Sequence, residues 1–300
     1  MGKATRTGQQ SAREKISAQQ AAARRAETRR RLFITAGSVL AVIAIVVAFI
    51  VVRSLNKPAA QPAGAAGAAG PAGATGVLLP ASVAKNVTGV PASTLNTVGA
   101  GSVPQTVQKP VTLINGPPLT SNGKPEMLYI GAEFCPYCAA MRWSMAVALS
   151  RFGVLSPLRG IHSAGEPEAY PNTATLTFYK STYSSKYLSF VPVENQNVDH
   201  SPLQATTPQQ QALWDRYNPN SYPFINIGNK YMITVIYNPQ VLQGKTWSQI
   251  AAALHDPSSP IAQGANGAAN YLTAAICKTT NNQPAAVCTS PAIQKLAGGL

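Results

Sequence analysis

Residues 127–134, Met-Leu-Tyr-Ile-Gly-Ala-Glu-Phe, form an apolar run that leads straight into Cys135-Pro136-Tyr137-Cys138. A helical pattern follows to about Arg151. Strand, then Cys-x-x-Cys, then helix constrains this chain more than any other feature. Two cysteines three residues apart at a helix start can close a disulfide between themselves. The first sits where free backbone N–H groups and the helix dipole stabilise a thiolate. A stabilised thiolate is a good nucleophile and a good leaving group, as thiol–disulfide exchange requires. Pro136 suits the first helical turn, which tolerates a residue without an N–H. Cys138, Met141, Met145, Leu149 and Phe152 are spaced as one apolar stripe, and Gly153 is the expected stop. The stripe reads as core packing, so Met141 and Met145 receive no functional role.

The N-terminal quarter has a different character. Residues 1–31 carry nine Lys and Arg against Glu14 and Glu27, so the basic charge of the chain is largely a property of this tail. Net charge therefore does not imply nucleic-acid binding by a folded domain, and no nucleic-acid module is present in the sequence. Residues 32–52 hold no charged residue and are long enough to cross a bilayer as one transmembrane helix. Arg29, Arg30 and Arg31 precede this run, which sets the tail on the cytoplasmic side and the rest of the chain outside. The run is longer than a signal-peptide core and Arg53 follows it directly, which favours a retained anchor over a cleaved signal. Residues 53–76 are a linker, low-complexity Ala/Gly/Pro over 57–76, where the large apolar side chains a core needs are missing. Residues 77–110 read as an extended lead-in, with a short helix near 80–88.

Residues 111–300 then alternate strand and helix patterns. Strands are expected at 111–115, 126–132, 158–163 and 175–179. Residues 180–206 mix aromatic, polar and Pro residues and read as an insertion. Thr207-Pro208 opens a helix through Trp214 and Tyr217. Phe224 begins a strand, Gly228-Asn229 a tight turn, and Tyr231 to Tyr237 the returning strand. Two helices follow, one marked by Trp247, Ile250 and Leu254, the other running over 260–277. The class is α/β with a mixed sheet, flanking helices and an insertion.

All four cysteines lie beyond the apolar span, in a compartment that permits disulfides. The even count suggests Cys135–Cys138 and Cys277–Cys288, although four cysteines allow three connectivities. Cys277 and Cys288 suit a structural staple. A zinc site would need them as the second half of a ligand set, and they are not closely spaced; His162, His200 and His255 are isolated. No metal and no cofactor is expected.

Two features in order, the strand–CPYC–helix unit and Tyr222-Pro223 before a strand with a Gly-Asn hairpin, resemble the thioredoxin-like superfamily. The block over residues 131–138 and the late cysteine pair resemble the thioredoxin-like family called domain of unknown function 929. The resemblance covers about residues 110–290. It implies a thioredoxin-like fold, a cis Pro223 facing the CPYC pair, and substrate held in extended form by Tyr222 and Pro223. It implies catalytic roles for Cys135, as nucleophile, and Cys138, as resolving thiol. Departures are visible: the stretch around 163–206 is longer than a minimal thioredoxin needs. Tyr129 stands where many thioredoxins carry a buried acid, and Phe134 where they often carry Trp. Glu126 and Glu133 are candidates for the missing proton carrier, but ordinary surface carboxylates are the expectation. Together these readings point to a membrane-anchored extracytoplasmic thiol–disulfide oxidoreductase, single-pass, acting on protein thiols or disulfides with a redox partner the sequence does not name. The alternative is a non-catalytic binding module on the same scaffold with permanent disulfides.

Overall fold

The computed structural model describes residues 76–104 and 109–300. The basic tail, the 32–52 span and all of the linker but Gly76 lie outside the described residues. No helix among the described residues is long and apolar enough to cross a membrane. They fall in one unit, Ala68–Leu300.

Strand β1 (Val77–Leu78) leads into helices α1 (Ala81–Thr88) and α2 (Ala92–Val98). The lead-in is therefore not extended. Val83 and Val87, then Leu95 and Val98, recur at helical spacing and are buried. Val83, Val87 and Leu95 join the main core, so the packed unit starts well before residue 111.

Next come β2 (Thr112–Leu113), β3 (Thr120–Ser121), β4 (Lys124–Gly131) and α3 (Pro136–Ser150). Four short strands follow: β5 (Gly153–Ser156), β6 (Arg159–His162), β7 (Ala174–Thr177) and β8 (Thr182–Ser185). Then come β9 (Ser189–Glu194), α4 (Pro208–Tyr217), β10 (Phe224–Ile227) and β11 (Tyr231–Ile233). A 3-10 turn (Pro239–Leu242) precedes α5 (Trp247–Ala253), α6 (Pro260–Thr279), α7 (Ala285–Cys288) and α8 (Pro291–Ala297).

The main sheet runs β2-β11-β10-β4, with β3 and β9 on the far side of β4. β10 pairs with β4 antiparallel and β9 pairs with it parallel. β4 alternates between two cores. Met127 and Tyr129 face the larger one, against the helices. Leu128 and Ile130 face a smaller one with Val193, Trp214 and Phe224. The stretch between α3 and β9 adds the pair β5–β8 and the strands β6 and β7, which β1 of the lead-in joins in a three-stranded sheet.

Three expectations change. Residues 180–206 are not wholly an insertion, because β9 belongs to the main sheet. Its Pro192 disguised it: a residue without an N–H is kept to edge strands, and β9 pairs with β4 alone among the described strands. Gly153 does not stop the helix; α3 ends at Ser150 and Gly153 begins β5, where its Cα lies too close to the Ser184 carbonyl for a side chain. Nor does α3 bury a single stripe. All its residues but Tyr137 and Ser150 are buried, because α1, α6 and β7 surround it. Arg142 and Ser144 are carried inside with the rest.

The C-terminal staple is present: Cys277 at the end of α6 is bonded to Cys288 in α7. Trp143, Trp214 and Trp247 all pack, each with its indole N–H donating to a backbone carbonyl.

Candidate functional site

Cys135 is the N-cap of α3, with extended backbone, and its Sγ accepts the Cys138 backbone N–H at 3.3 Å. Pro136 fills the next position, where no N–H is needed. Cys135 keeps 5% of its surface exposed and Cys138 none. Both thiols are free, so the pair stands as a dithiol. The two sulfurs differ sharply. The hydrogen bond from the Cys138 thiol holds Cys135 below the ordinary range of a cysteine, helped by the Cys138 N–H and the Arg142 charge, and opposed by burial. Burial pushes the Cys138 thiol well up, and its bond to Cys135 adds to this.

The loops around the pair are fixed by backbone bonds. The Phe134 carbonyl accepts from Ala164, and the Glu133 N–H donates to Gln196. Tyr222 packs against Cys135, Cys138 and Ala132 with Phe134. Its hydroxyl donates to Asn195 Oδ1 at 2.5 Å, and its ring stacks on Trp214 at 5.0 Å. Burial pushes that hydroxyl up to about 12. The Tyr222–Pro223 bond is cis, and Pro223 is buried at the start of β10. Phe134 stacks on His200 at 3.9 Å, and Tyr137, 37% exposed, meets Tyr170 edge-on. The mouth of the site is thus aromatic.

Beneath the pair lies a buried charge cluster that sequence reasoning missed. Arg142 Nε donates to Glu194 Oε1 at 2.9 Å, and Nη2 to Glu194 Oε2 at 2.6 Å and to the Ala132 carbonyl at 2.8 Å. Both side chains are fully buried. The Phe178 N–H also donates to Glu194 Oε1. One signal was available: an arginine four residues after Cys138 in an otherwise apolar helix faces the same side as the cysteine and must find a partner. Nothing in the sequence marked Glu194 as that partner.

Glu133 and Glu126 are not surface carboxylates. Glu133 is 1% exposed and accepts the Thr177 hydroxyl at 2.6 Å; Glu126 is 8% exposed. Burial raises both carboxyls above their usual range. Among the described residues, no three or more His, Cys, Asp or Glu side chains gather as a metal site would need.

A family model, Domain of unknown function (DUF929), matches residues 110–278. No curated protein and no solved structure matches the chain. The matched segment is more than half of the chain, and the chain belongs to this family.

Proposed function

We propose that this DUF929-family chain is a membrane-anchored, extracytoplasmic thiol–disulfide oxidoreductase of thioredoxin-like fold that works through Cys135 and Cys138. The asymmetry of the pair carries the reading. One thiol is lowered at a helix N-terminus at the edge of solvent, and its neighbour is raised and fully buried. A redox pair needs this division between an attacking and a resolving sulfur.

In the reducing direction, Cys135 thiolate attacks a substrate disulfide, forming the Cys135–substrate bond and expelling one substrate thiolate. Cys138 then gives up its proton and attacks Cys135 Sγ. The Cys135–Cys138 bond forms, the substrate bond breaks, and a second thiolate leaves. Two electrons and two protons pass to the substrate. The reverse sequence oxidises a substrate dithiol.

The fold assignment is supported by the strand order β9-β4-β10-β11, parallel then antiparallel around β4, with Tyr222 packed on the cysteines. That support is analogy at the level of fold. Anchorage and sidedness rest on the uncharged run 32–52 and the arginines before it. The partners are protein thiols or disulfides outside the membrane, and a redox partner that recharges the pair.

The test is to poise the full-length chain in glutathione buffers and trap thiols for mass spectrometry. The Cys135–Cys138 pair should titrate between about −120 and −230 mV, with Cys277–Cys288 closed throughout. Cys138→Ser should accumulate a mixed disulfide on Cys135. A pair that stays oxidised below about −300 mV defeats the proposal and leaves a binding module with permanent disulfides.

A further inference from the structure

We infer that Tyr129 and Arg142 are positioning residues for Cys138, placed to hold the thiolate this cysteine becomes when it resolves a mixed disulfide. The inference rests on the exchange activity proposed above. Its starting point is a pair of buried donors that no nitrogen or oxygen meets.

Tyr129 Oη and Arg142 Nη1 are both buried without a nitrogen or oxygen partner, and what the Tyr129 hydroxyl bears on is the Cys138 sulfur, a weak acceptor while it is a thiol. Buried donors are rarely left unpaired without a reason. Both are donors, and both belong to side chains that act on the same sulfur. Tyr129 points from β4 toward α3, in the larger core. Its hydroxyl lies over Gly131, where a Cβ would come within 1.9 Å of Oη. The absence of a side chain at 131 is what leaves the phenol this place beneath the CPYC turn.

Arg142 stands one helical turn after Cys138, on the same face of α3. Glu194 and the Ala132 carbonyl fix its guanidinium through Nε and Nη2, which leaves Nη1 over. Its Cζ lies 6.0 Å from the centre of the Tyr129 ring. Arg142 and Tyr129 are therefore neighbours as well.

The strong acceptor is supplied by the reaction. In the dithiol, Cys138 is neutral and donates to Cys135. In the mixed disulfide, Cys138 must lose its proton to attack, and the anionic sulfur becomes a strong acceptor inside the protein. The proton goes to water or to the departing substrate thiolate. The phenol keeps its own proton, because burial pushes the Tyr129 hydroxyl well above the usual range. Burial likewise pushes Cys138 up, and Arg142 is the charge that pulls it back. The other titratable groups packed with Cys138 are Cys135 and Tyr222 before β10, and Glu133 before α3 and Glu194 on β9 bear on Arg142. Of these, Glu194 is already matched by Arg142 and Glu133 is held by Thr177. Tyr129 and Arg142 are left to meet the sulfur.

The test uses the full-length chain as the dithiol, mixed with a chromogenic aromatic disulfide across a range of pH. Attack by Cys135 releases a first equivalent of aromatic thiolate, and resolution by Cys138 releases a second. Tyr129→Phe keeps the ring and removes a hydroxyl without a nitrogen or oxygen partner, so folding should survive. The second phase should slow about tenfold at neutral pH, with its midpoint moved to higher pH. The first phase and the thermal midpoint should be unchanged, which a merely structural role would not give. Arg142→Lys should slow the second phase likewise. A second phase with the original rate and midpoint in Tyr129→Phe overturns the inference whether or not the Arg142 variant folds. Absence of the first phase in the unaltered chain instead defeats the oxidoreductase reading, and this inference with it.

Discussion

Replacing Glu194 by alanine should cost the folded chain about 3–5 kcal/mol, the range for removing one partner of a buried ion pair. Both side chains of the Arg142–Glu194 pair are fully buried, so solvent screening does not discount the figure. Glu194 accepts three hydrogen bonds, from Arg142 Nε, Arg142 Nη2 and the Phe178 N–H. Without it, only Nη2 keeps a partner, the Ala132 carbonyl, and Nη1 has none already. The charge alone accounts for a loss of this size, since two charges about 4 Å apart at an effective dielectric near 20 interact by about 4 kcal/mol. Equilibrium urea unfolding, read through the buried tryptophans, measures the loss. A melt should show a fall of about 2–4 °C for each kcal/mol in a unit of this size. The double variant Arg142→Met with Glu194→Leu is the control. It removes both charges, and well-packed apolar pairs often replace a buried ion pair with little loss. It should recover most of the stability, short of about 1–3 kcal/mol for the orphaned Phe178 N–H. A single-variant loss below about 1 kcal/mol, or a double variant no better than the single, would refute the reasoning.

Three further outcomes are expected. Alkylation of the dithiol should reach half its maximal rate at Cys135 below the pH of an ordinary cysteine, while Cys138 stays unmodified until the chain unfolds; a shared midpoint for the two would count against the asymmetry. Removing the staple with Cys277→Ala and Cys288→Ala should lower stability by about 2–3 kcal/mol in denaturant, and a change in the Cys135 alkylation profile would show that the bridge does more than staple. Glu133→Gln keeps an acceptor for the Thr177 hydroxyl and removes a buried charge. Because the folded carboxyl is raised above its unfolded value, its contribution to stability is largest at low pH and is lost as pH rises through the carboxylate range. The variant should flatten that loss in denaturant midpoints taken from acid to neutral pH, and an unaltered slope would contradict the burial argument.

What was legible in the sequence was local. The strand β4, the helix opening at Pro136, the helix start at Thr207-Pro208 and the hairpin turn at Gly228-Asn229 each announce themselves within a few residues. The cysteine pair stands out by its own spacing, and Tyr222, singled out by the resemblance rather than by a local signal, packs against it. Long-range pairing was not. β9 contains Pro192, a residue that argues against a central strand, and only the whole sheet shows it to be an edge. The lead-in looked extended because its helices are short, and they gain most of their burial from α5, α6 and the core. Glu133 looked like a surface acid because a lone Glu usually is one; Thr177, far along the chain, is what makes its burial tolerable.

The register of β9 ties these misses to the chemistry. Gly131 pairs with Glu194 and Ile130 with Val193, and Val193 packs with Ile130 in the smaller core. Alternation then turns Glu194 to the opposite face, toward α3 and Arg142. A slip of one residue would put the carboxylate into the smaller core and leave Arg142 alone beneath the cysteines. An unpaired guanidinium there would be hard to fold and would favour thiolate on Cys138 even in the dithiol. Pairing it with Glu194 weakens that field without removing it. Cys135, at the helix terminus, can then ionise first, while Cys138 keeps its proton until the mixed disulfide forms. If the chain carries out the exchange proposed above, the order of its two steps follows from β9 and the carboxylate it brings under the pair.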